Sequence, residues 1–247
     1  MNEEKHWNKI APTYNDEIFD VFASDKKNIL TQYFDKHTNL NHNAIDFGCG
    51  NGKAFCYLAP RFKNILGIDI SENLLTQAIL LNYENVELRQ ADLTKNIKLA
   101  KADFIFCCNV AILSKVEDNI AMIKNISKAL KPKGSALVVV PSLESAMYSG
   151  WRMIDWYKKE KTKPEDIDAA ELASFKKKTD ILQGLIAIDG VTTKHYSQEE
   201  IEVIFSRCGL SVSNIEKIEY DWNSEFAKPP KWMQTPYPWD WLIEVRK

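Results

Sequence analysis

The chain has 247 residues, 45 % apolar and 27 % charged, ordinary proportions for a folded domain that exclude a disordered, collagen-like or disulfide-scaffold protein. Lysine and arginine (32) nearly balance aspartate and glutamate (34), so the net charge of −2 supplies no general attraction to nucleic acid or an anionic membrane. Five cysteines without a C-x-x-C pair argue against a metal site, and the absence of a signal-like start or a membrane-length apolar run leads to the expectation of a soluble, cytoplasmic protein.

In chain order, Ile18, Phe19, Phe22, Ile29, Leu30, Tyr33 and Phe34 recur at helical spacing and predict one amphipathic helix over Asp16–His37. Strand-like runs then alternate with helical ones: Ala44–Phe47, Lys53–Ala59, Ile65–Ile70, Glu72–Leu81, Val86–Gln90, Phe104–Cys108, Asp118–Leu130 and Ala136–Val140. That alternation predicts an α/β fold whose mostly parallel sheet is covered on both faces. Ser71 is placed to cap the helix that follows it, and Lys131-Pro132-Lys133-Gly134 reads as a turn before the Ala136 strand.

After Pro141 the alternation stops. Helices are predicted at Leu143–Lys159 and Glu165–Asp180, then an extended run from Leu185 through Asp189-Gly190 into Val191. So long an excursion reads as a lid or binding element. A helix over Ser197–Cys208 follows, with Ser197 and Glu200 spaced as a capping box. Strands at Leu210–Ile218 and Trp239–Val245 are expected to pair antiparallel, with the proline- and aromatic-rich stretch from Pro229 to Trp241 covering the sheet edge.

The most informative segment is Asp46-Phe47-Gly48-Cys49-Gly50-Asn51-Gly52, between a predicted strand and a helix. Glycine there lets the backbone turn sharply and lets a ligand approach it closely. A dinucleotide fingerprint needs G-x-G-x-x-G, but counted from Gly48 and Gly50 its last glycine falls on Lys53, so an NAD reading loses ground. Asp46 ends its strand and suits a cationic group, because opposite charges attract strongly at close range. Asp69, in Gly67-Ile68-Asp69-Ile70-Ser71, ends the next strand and can accept from both hydroxyls of a ribose. Asp92, in Ala91-Asp92-Leu93, follows the third and can receive an exocyclic adenine amine. Together the three carboxylates describe an adenosine ligand that carries a cation.

On these residues the chain resembles the class I S-adenosylmethionine-dependent methyltransferases of the small-molecule type. The resemblance further covers Asp103–Leu113, Leu130-Lys131-Pro132-Lys133-Gly134 and Trp7-Asn8-Lys9-Ile10-Ala11-Pro12-Thr13-Tyr14. It implies S-adenosylmethionine as cofactor and a Rossmann-like sheet of seven strands with the last one antiparallel. Tyr14, Asp46, Gly48, Cys49, Gly50, Asp69, Ile70 and the Ala91–Leu93 motif would surround the cofactor, with Asn109 and Val110 at the fourth strand. Residues 1–247 then form one domain: an N-terminal helical segment (1–42), a cofactor-binding half (43–140), a cap insertion (141–196) and a C-terminal helix and strand pair (197–247).

For the acceptor, Asn109-Val110-Ala111-Ile112 keeps only the asparagine of the Asn-Pro-Pro-Tyr motif of amino-methylating enzymes acting on nucleic acid and glutamine, which disfavours those substrates. His195, a side chain that ordinarily titrates near neutral pH, and Tyr196 are the candidate catalytic residues. Trp7, Trp151 and Trp156 are candidate walls of an acceptor pocket. The lysine runs Lys158–Lys161 and Lys176–Lys178 read as solvated helix faces. The expected partner is therefore a small-molecule methyl acceptor, with protein or RNA methylation and cofactor binding without transfer as alternatives. No sequence feature sets an oligomeric state.

Overall fold

A computed structural model describes residues 2–163, 180–188 and 190–247. Seven strands form one sheet: β1 (Asn39–Phe47), β2 (Phe62–Asp69), β3 (Val86–Gln90), β4 (Ala102–Cys108), β5 (Leu130–Pro141), β8 (Ser211–Glu219) and β9 (Trp239–Arg246). Their order is β3-β2-β1-β4-β5-β9-β8. The first five run parallel, and β9 is antiparallel to both of its neighbours, as the sequence predicts. A separate hairpin pairs β6 (Leu185–Ile188) with β7 (Val191–Lys194).

The centre of the sheet is buried on both faces, which explains why β1 ends in an unbroken buried run from Ala44 to Phe47 rather than an alternating one. On one face Ile45, Ile105, Val138 and Ile243 pack with Met122 and Ile126 of α7 (Val116–Ala129) and Phe205 of α9 (Gln198–Arg207). On the other, Phe104, Phe106 and Leu242 meet Phe34 of α4 (Ile29–His37), Leu58 of α5 (Phe55–Leu58) and Leu75 of α6 (Glu72–Ile79). Each of these large apolar side chains contributes about 1.5–3 kcal/mol by leaving water. Ser71 and Ser197 cap α6 and α9 by accepting from the N–H groups of Leu74 and Glu200.

The predicted helix over Asp16–His37 is broken. The chain instead forms α1 (Glu3–Ile10), a 3₁₀ turn at Ala11–Thr13, α2 (Tyr14–Glu17), α3 (Val21–Ser24) and α4. Ile18 turns extended, Asp20 caps α3 by accepting from Ala23 N–H, and Asn28 sits at φ 53. The buried Asp25 then accepts from Lys27 and Leu30 N–H. Local aspartate and asparagine turns therefore override the apolar period. The expected Lys53–Ala59 helix shrinks to α5. The turn expected at Lys131–Gly134 becomes a bulge within β5, with Lys133 at φ 65 and a register shift against β4.

In the cap, α8 (Leu143–Glu160) forms as expected. The predicted helix Glu165–Asp180 lies, except for Asp180, outside the described residues, as do Lys176–Lys178. The extended run after Leu185 becomes the β6–β7 hairpin. Between β8 and β9, Trp222, Phe226 and Met233 pack with Met153 of α8, so this connection covers the cap helix. Among the described residues, no helix is long and apolar enough to cross a membrane.

Candidate active site

The glycine loop leaves β1 at the carboxyl end of the sheet. Gly48 and Cys49 both donate their N–H to the Ile68 carbonyl of β2, at 2.8 and 2.9 Å. Gly48 stands at φ 88, and a Cβ there would lie 2.2 Å from Val110 Cγ2, so only glycine fits. Gly50 N–H donates to Asp69 Oδ2 (2.8 Å) and Ser71 N–H to Asp69 Oδ1 (2.9 Å). The main chain thus fixes the Asp69 carboxylate on both oxygens. Each oxygen keeps a second lone pair for another donor.

Asp46 contrasts with it. It is 2 % exposed, and its Oδ2 is buried with no partner among the described residues. Burial, with the charge of Asp69 adding to it, pushes the Asp46 carboxyl up to about 8. A cation beside it would restore its ionised form.

The N-terminal segment lies over this loop. Asn8 Oδ1 accepts from Ser71 Oγ–H (2.7 Å), Gln77 Nε2 donates to Ala11 O (2.7 Å) and Asn51 Nδ2 donates to Asn15 Oδ1 (3.0 Å). The Tyr14 hydroxyl sits above Gly50, where a Cβ would approach it to 2.8 Å. Burial, then the nearby Asp69 charge, raises the Tyr14 phenol far above its usual range. Trp7 meets Tyr14 edge to face, with ring centroids 6.3 Å apart.

A cleft of about 1490 Å³ runs from Trp7, Tyr14, Asp46 and Cys49 to His195, Glu225 and Asp240. Gly48 and Asn109 also line it. Asp69, Gly50, Ile70 and Val110 are not among its lining residues, though Asp69 is bonded to the loop that lines it. Ala91, Asp92 and Leu93 lie past the end of β3, off the cleft. Burial works to raise the Asp92 carboxyl, but hydrogen bonds from Thr94 and the Lys95 charge outweigh it and hold Asp92 below its ordinary value.

His195 does line the cleft, 5 % exposed. Its Nδ1 lies 3.1 Å from the Thr193 carbonyl, which favours the Nδ1–H tautomer and leaves Nε2 an acceptor. Burial pushes the ring down to about 4, so it does not titrate near neutrality as expected from the residue type. Beneath it the buried Lys194 Nζ pairs with both Glu200 oxygens at 2.7 Å and donates to the His195 carbonyl. This claim on Glu200 is why the predicted capping box forms only its serine half.

Three expected site residues stand elsewhere. Tyr196 is 1 % exposed and gives its hydroxyl to the Ala111 carbonyl at 2.6 Å, which anchors the cap to the loop after β4 and removes the phenol from the cleft. Trp151 points outward, 57 % exposed, stacked on Tyr148. Trp156 packs against Tyr157 and Phe226. The cleft wall comes from other positions that the sequence reading missed: Ser149, Tyr220, Glu225, Trp239 and Asp240.

Residues 45–138, from β1 into β5, match the family of methyltransferase domains. Over that stretch the chain resembles the S-adenosylmethionine-dependent methyltransferases. It is 31 % identical over 140 residues to a ubiquinone biosynthesis O-methyltransferase of Hydrogenovibrio crunogenus, covering 54 % of this chain and 57 % of that protein. It is 29 % identical over 76 residues to the probable S-adenosylmethionine-dependent methyltransferase CRG1 of Saccharomyces cerevisiae, 31 % of this chain and 22 % of that one. These alignments span little more than half of the first relative and under a quarter of the second. Among solved structures, a S-adenosylmethionine-dependent methyltransferase from Anabaena variabilis superposes with TM-score 0.64 at 14 % identity, covering 100 % of this chain and 95 % of its own. The N-methyltransferase NodS from Bradyrhizobium japonicum, solved with S-adenosylhomocysteine, gives 0.62 at 13 % identity over 100 % and 99 %. At such identities the likeness is one of fold.

The residues present fit S-adenosylmethionine. The unpartnered Asp46 oxygen offers an acceptor for its ammonium group, and the remaining lone pairs of Asp69 offer acceptors for its ribose hydroxyls.

Proposed function

We propose that the protein transfers a methyl group from S-adenosylmethionine to a small organic molecule bound in the half of the cleft between His195 and Asp240. The cofactor, when bound, supplies an already activated methyl on a sulfonium. The chain therefore has to position the acceptor in line, keep water away and take up a proton where one is lost. In this reading Asp46 holds the ammonium and Asp69 the ribose, Tyr14, Trp7 and Asn109 close around the donor, and the adenine edge extends beyond the cleft toward Asp92.

The observation that carries the proposal is the continuity of the cleft. Val110 packs on Gly48 of the cofactor loop, the adjacent Asn109 reaches Asp240 at 3.4 Å, and one cleft lined by Gly48, Asn109 and Asp240 joins the two halves. Its volume suits a cofactor together with one small molecule. The relative named for O-methylation in ubiquinone biosynthesis supports the same acceptor class.

The proposed role of His195 is to present neutral Nε2 as a proton acceptor, a weak base made useful by fixed position. The test is incubation with methyl-labelled cofactor and separate metabolite, protein and RNA fractions of a cell extract. Label is expected in the metabolite fraction. Label only in protein or RNA overturns the acceptor class, and cofactor binding without any label transfer overturns the methyl-transfer reading.

A further inference from the structure

The far half of the cleft has its own chemistry, set by β9 and the connection before it. Asp240 accepts on Oδ2 from the Tyr220 hydroxyl (2.9 Å) and, at 3.4 Å, from Asn109 Nδ2. Among the described residues both bonds fall on that one oxygen. Glu225 lines the same wall, open to water along the cleft yet crowded enough by protein to lose hydration. Facing them from α8 is Ser149, 6 % exposed, whose buried hydroxyl makes no hydrogen bond of normal geometry among the described residues but lies close enough to Glu225 to offset part of the rise that burial imposes on that carboxyl.

Among the described residues, no lysine or arginine lining the cleft answers these two carboxylates. The lysines that line the cleft, Lys9 and Lys53, belong to the segments at the glycine-loop end, and Lys53 is already paired with Asp20 at 2.9 Å. Phe226, Trp239 and Met153 add aromatic and thioether surface to the same half. Two carboxylates without a counter-charge among the described residues, beside aromatic rings and the Ser149 hydroxyl, make a setting that attracts an ammonium group and repels an anion. The described residues offer no group of three side chains able to hold a metal ion, so the missing positive charge is assigned to a ligand.

We infer that the methyl acceptor carries a protonated amine, seated between Asp240 and Glu225 with Ser149 beside it, and that these residues select amines over acids. The inference rests on the proposed methyl transfer and narrows its acceptor. Tyr220 and Asn109 act here as positioning residues, since they hold the Asp240 carboxylate from its far side.

The experiment uses the full chain saturated with S-adenosylhomocysteine and three probes of matched shape: phenethylamine, phenethyl alcohol and hydrocinnamate. Calorimetry is expected to show binding of the amine only. Its affinity should fall by about tenfold or more in Asp240→Asn and by a smaller factor in Glu225→Gln, with S-adenosylhomocysteine affinity unchanged in both. Glu225 is exposed, so its variant keeps the test valid should Asp240→Asn fail to fold. Equal binding of hydrocinnamate, no amine binding by the S-adenosylhomocysteine complex, or amine affinity untouched by either substitution overturns the inference. If the wild-type chain does not bind S-adenosylhomocysteine at all, the methyl-transfer reading itself falls.

Discussion

At the glycine-loop end of the cleft, Asp69 is held by two main-chain N–H groups, those of Gly50 and Ser71, whereas at the far end Asp240 is held by two side chains, Tyr220 and Asn109. Main-chain donors move only if the loop refolds, so the geometry around Asp69 is as rigid as the ends of β1 and β2. Side-chain holders can be exchanged one substitution at a time. The near end is therefore built to keep one ligand, and the far end can change its ligand without disturbing the near end.

Gly48→Ala should break this contrast most severely. A side chain at φ 88 that also runs into Val110 costs about 1–3 kcal/mol in strain and displaces the loop that holds Asp69. Chemical denaturation should register that loss, and S-adenosylhomocysteine binding should disappear with it. No comparable loss of cofactor affinity is expected from Tyr220→Phe at the far end.

A second expectation concerns pH. The Asp46 carboxyl is raised from 3.8 to about 8 and Asp240 to about 6, so the folded state binds extra protons and loses stability as pH rises through those windows. His195 is lowered from 6.5 to about 4, so it works the other way, adding stability as pH rises from 4 to 6.5. Above pH 6.5 only Asp46 still titrates among the three. The ligand-free protein should therefore lose about 1–2 kcal/mol between pH 6.5 and 8, a decline that Asp46→Asn should abolish. A wild-type stability that is flat across that interval would mean Asp46 is already ionised and paired.

The near end was the legible one. Gly48, Gly50, Asp46 and Asp69 lie within one β-loop-α-β stretch, where strand ends and glycine spacing specify geometry locally, and Ser71 and Ser197 announce their helices for the same reason. The break in the Asp16–His37 helix was hidden because apolar spacing persists across turns made by Asp20, Asp25 and Asn28. At the far end, Asp240 meets Asn109 from 131 positions away, a contact that only the order of the sheet creates. Tyr196 and Trp151 were misplaced for a related reason. Their polarity and size suited a pocket, but Tyr196 is turned by the docking of the cap on Ala111, and Trp151 stacks on Tyr148 of its own helix on an outward face.

That correction leads to the smallest effects. His195→Ala should lower turnover by about tenfold once an acceptor is known, with S-adenosylhomocysteine affinity unchanged; the effect falls below the usual range of general-base catalysis because an imidazole pushed down to about 4 is a weak proton acceptor. Trp151→Ala, at an exposed site off the cleft, should leave both kinetics and stability within about 0.5 kcal/mol of wild type. A large rise in acceptor KM for Trp151→Ala would return that tryptophan to the pocket wall.

The account turns on Asp46 as the unsatisfied carboxylate that receives the cofactor's cationic end. Calorimetry of S-adenosylhomocysteine binding to the wild type and to Asp46→Asn, with NAD as the control ligand, tests this directly. Wild type should bind S-adenosylhomocysteine and not NAD, and the substitution should weaken binding by about 1.5–3 kcal/mol, the worth of a charged hydrogen bond. Tight NAD binding, or S-adenosylhomocysteine affinity equal in the two proteins, would contradict it.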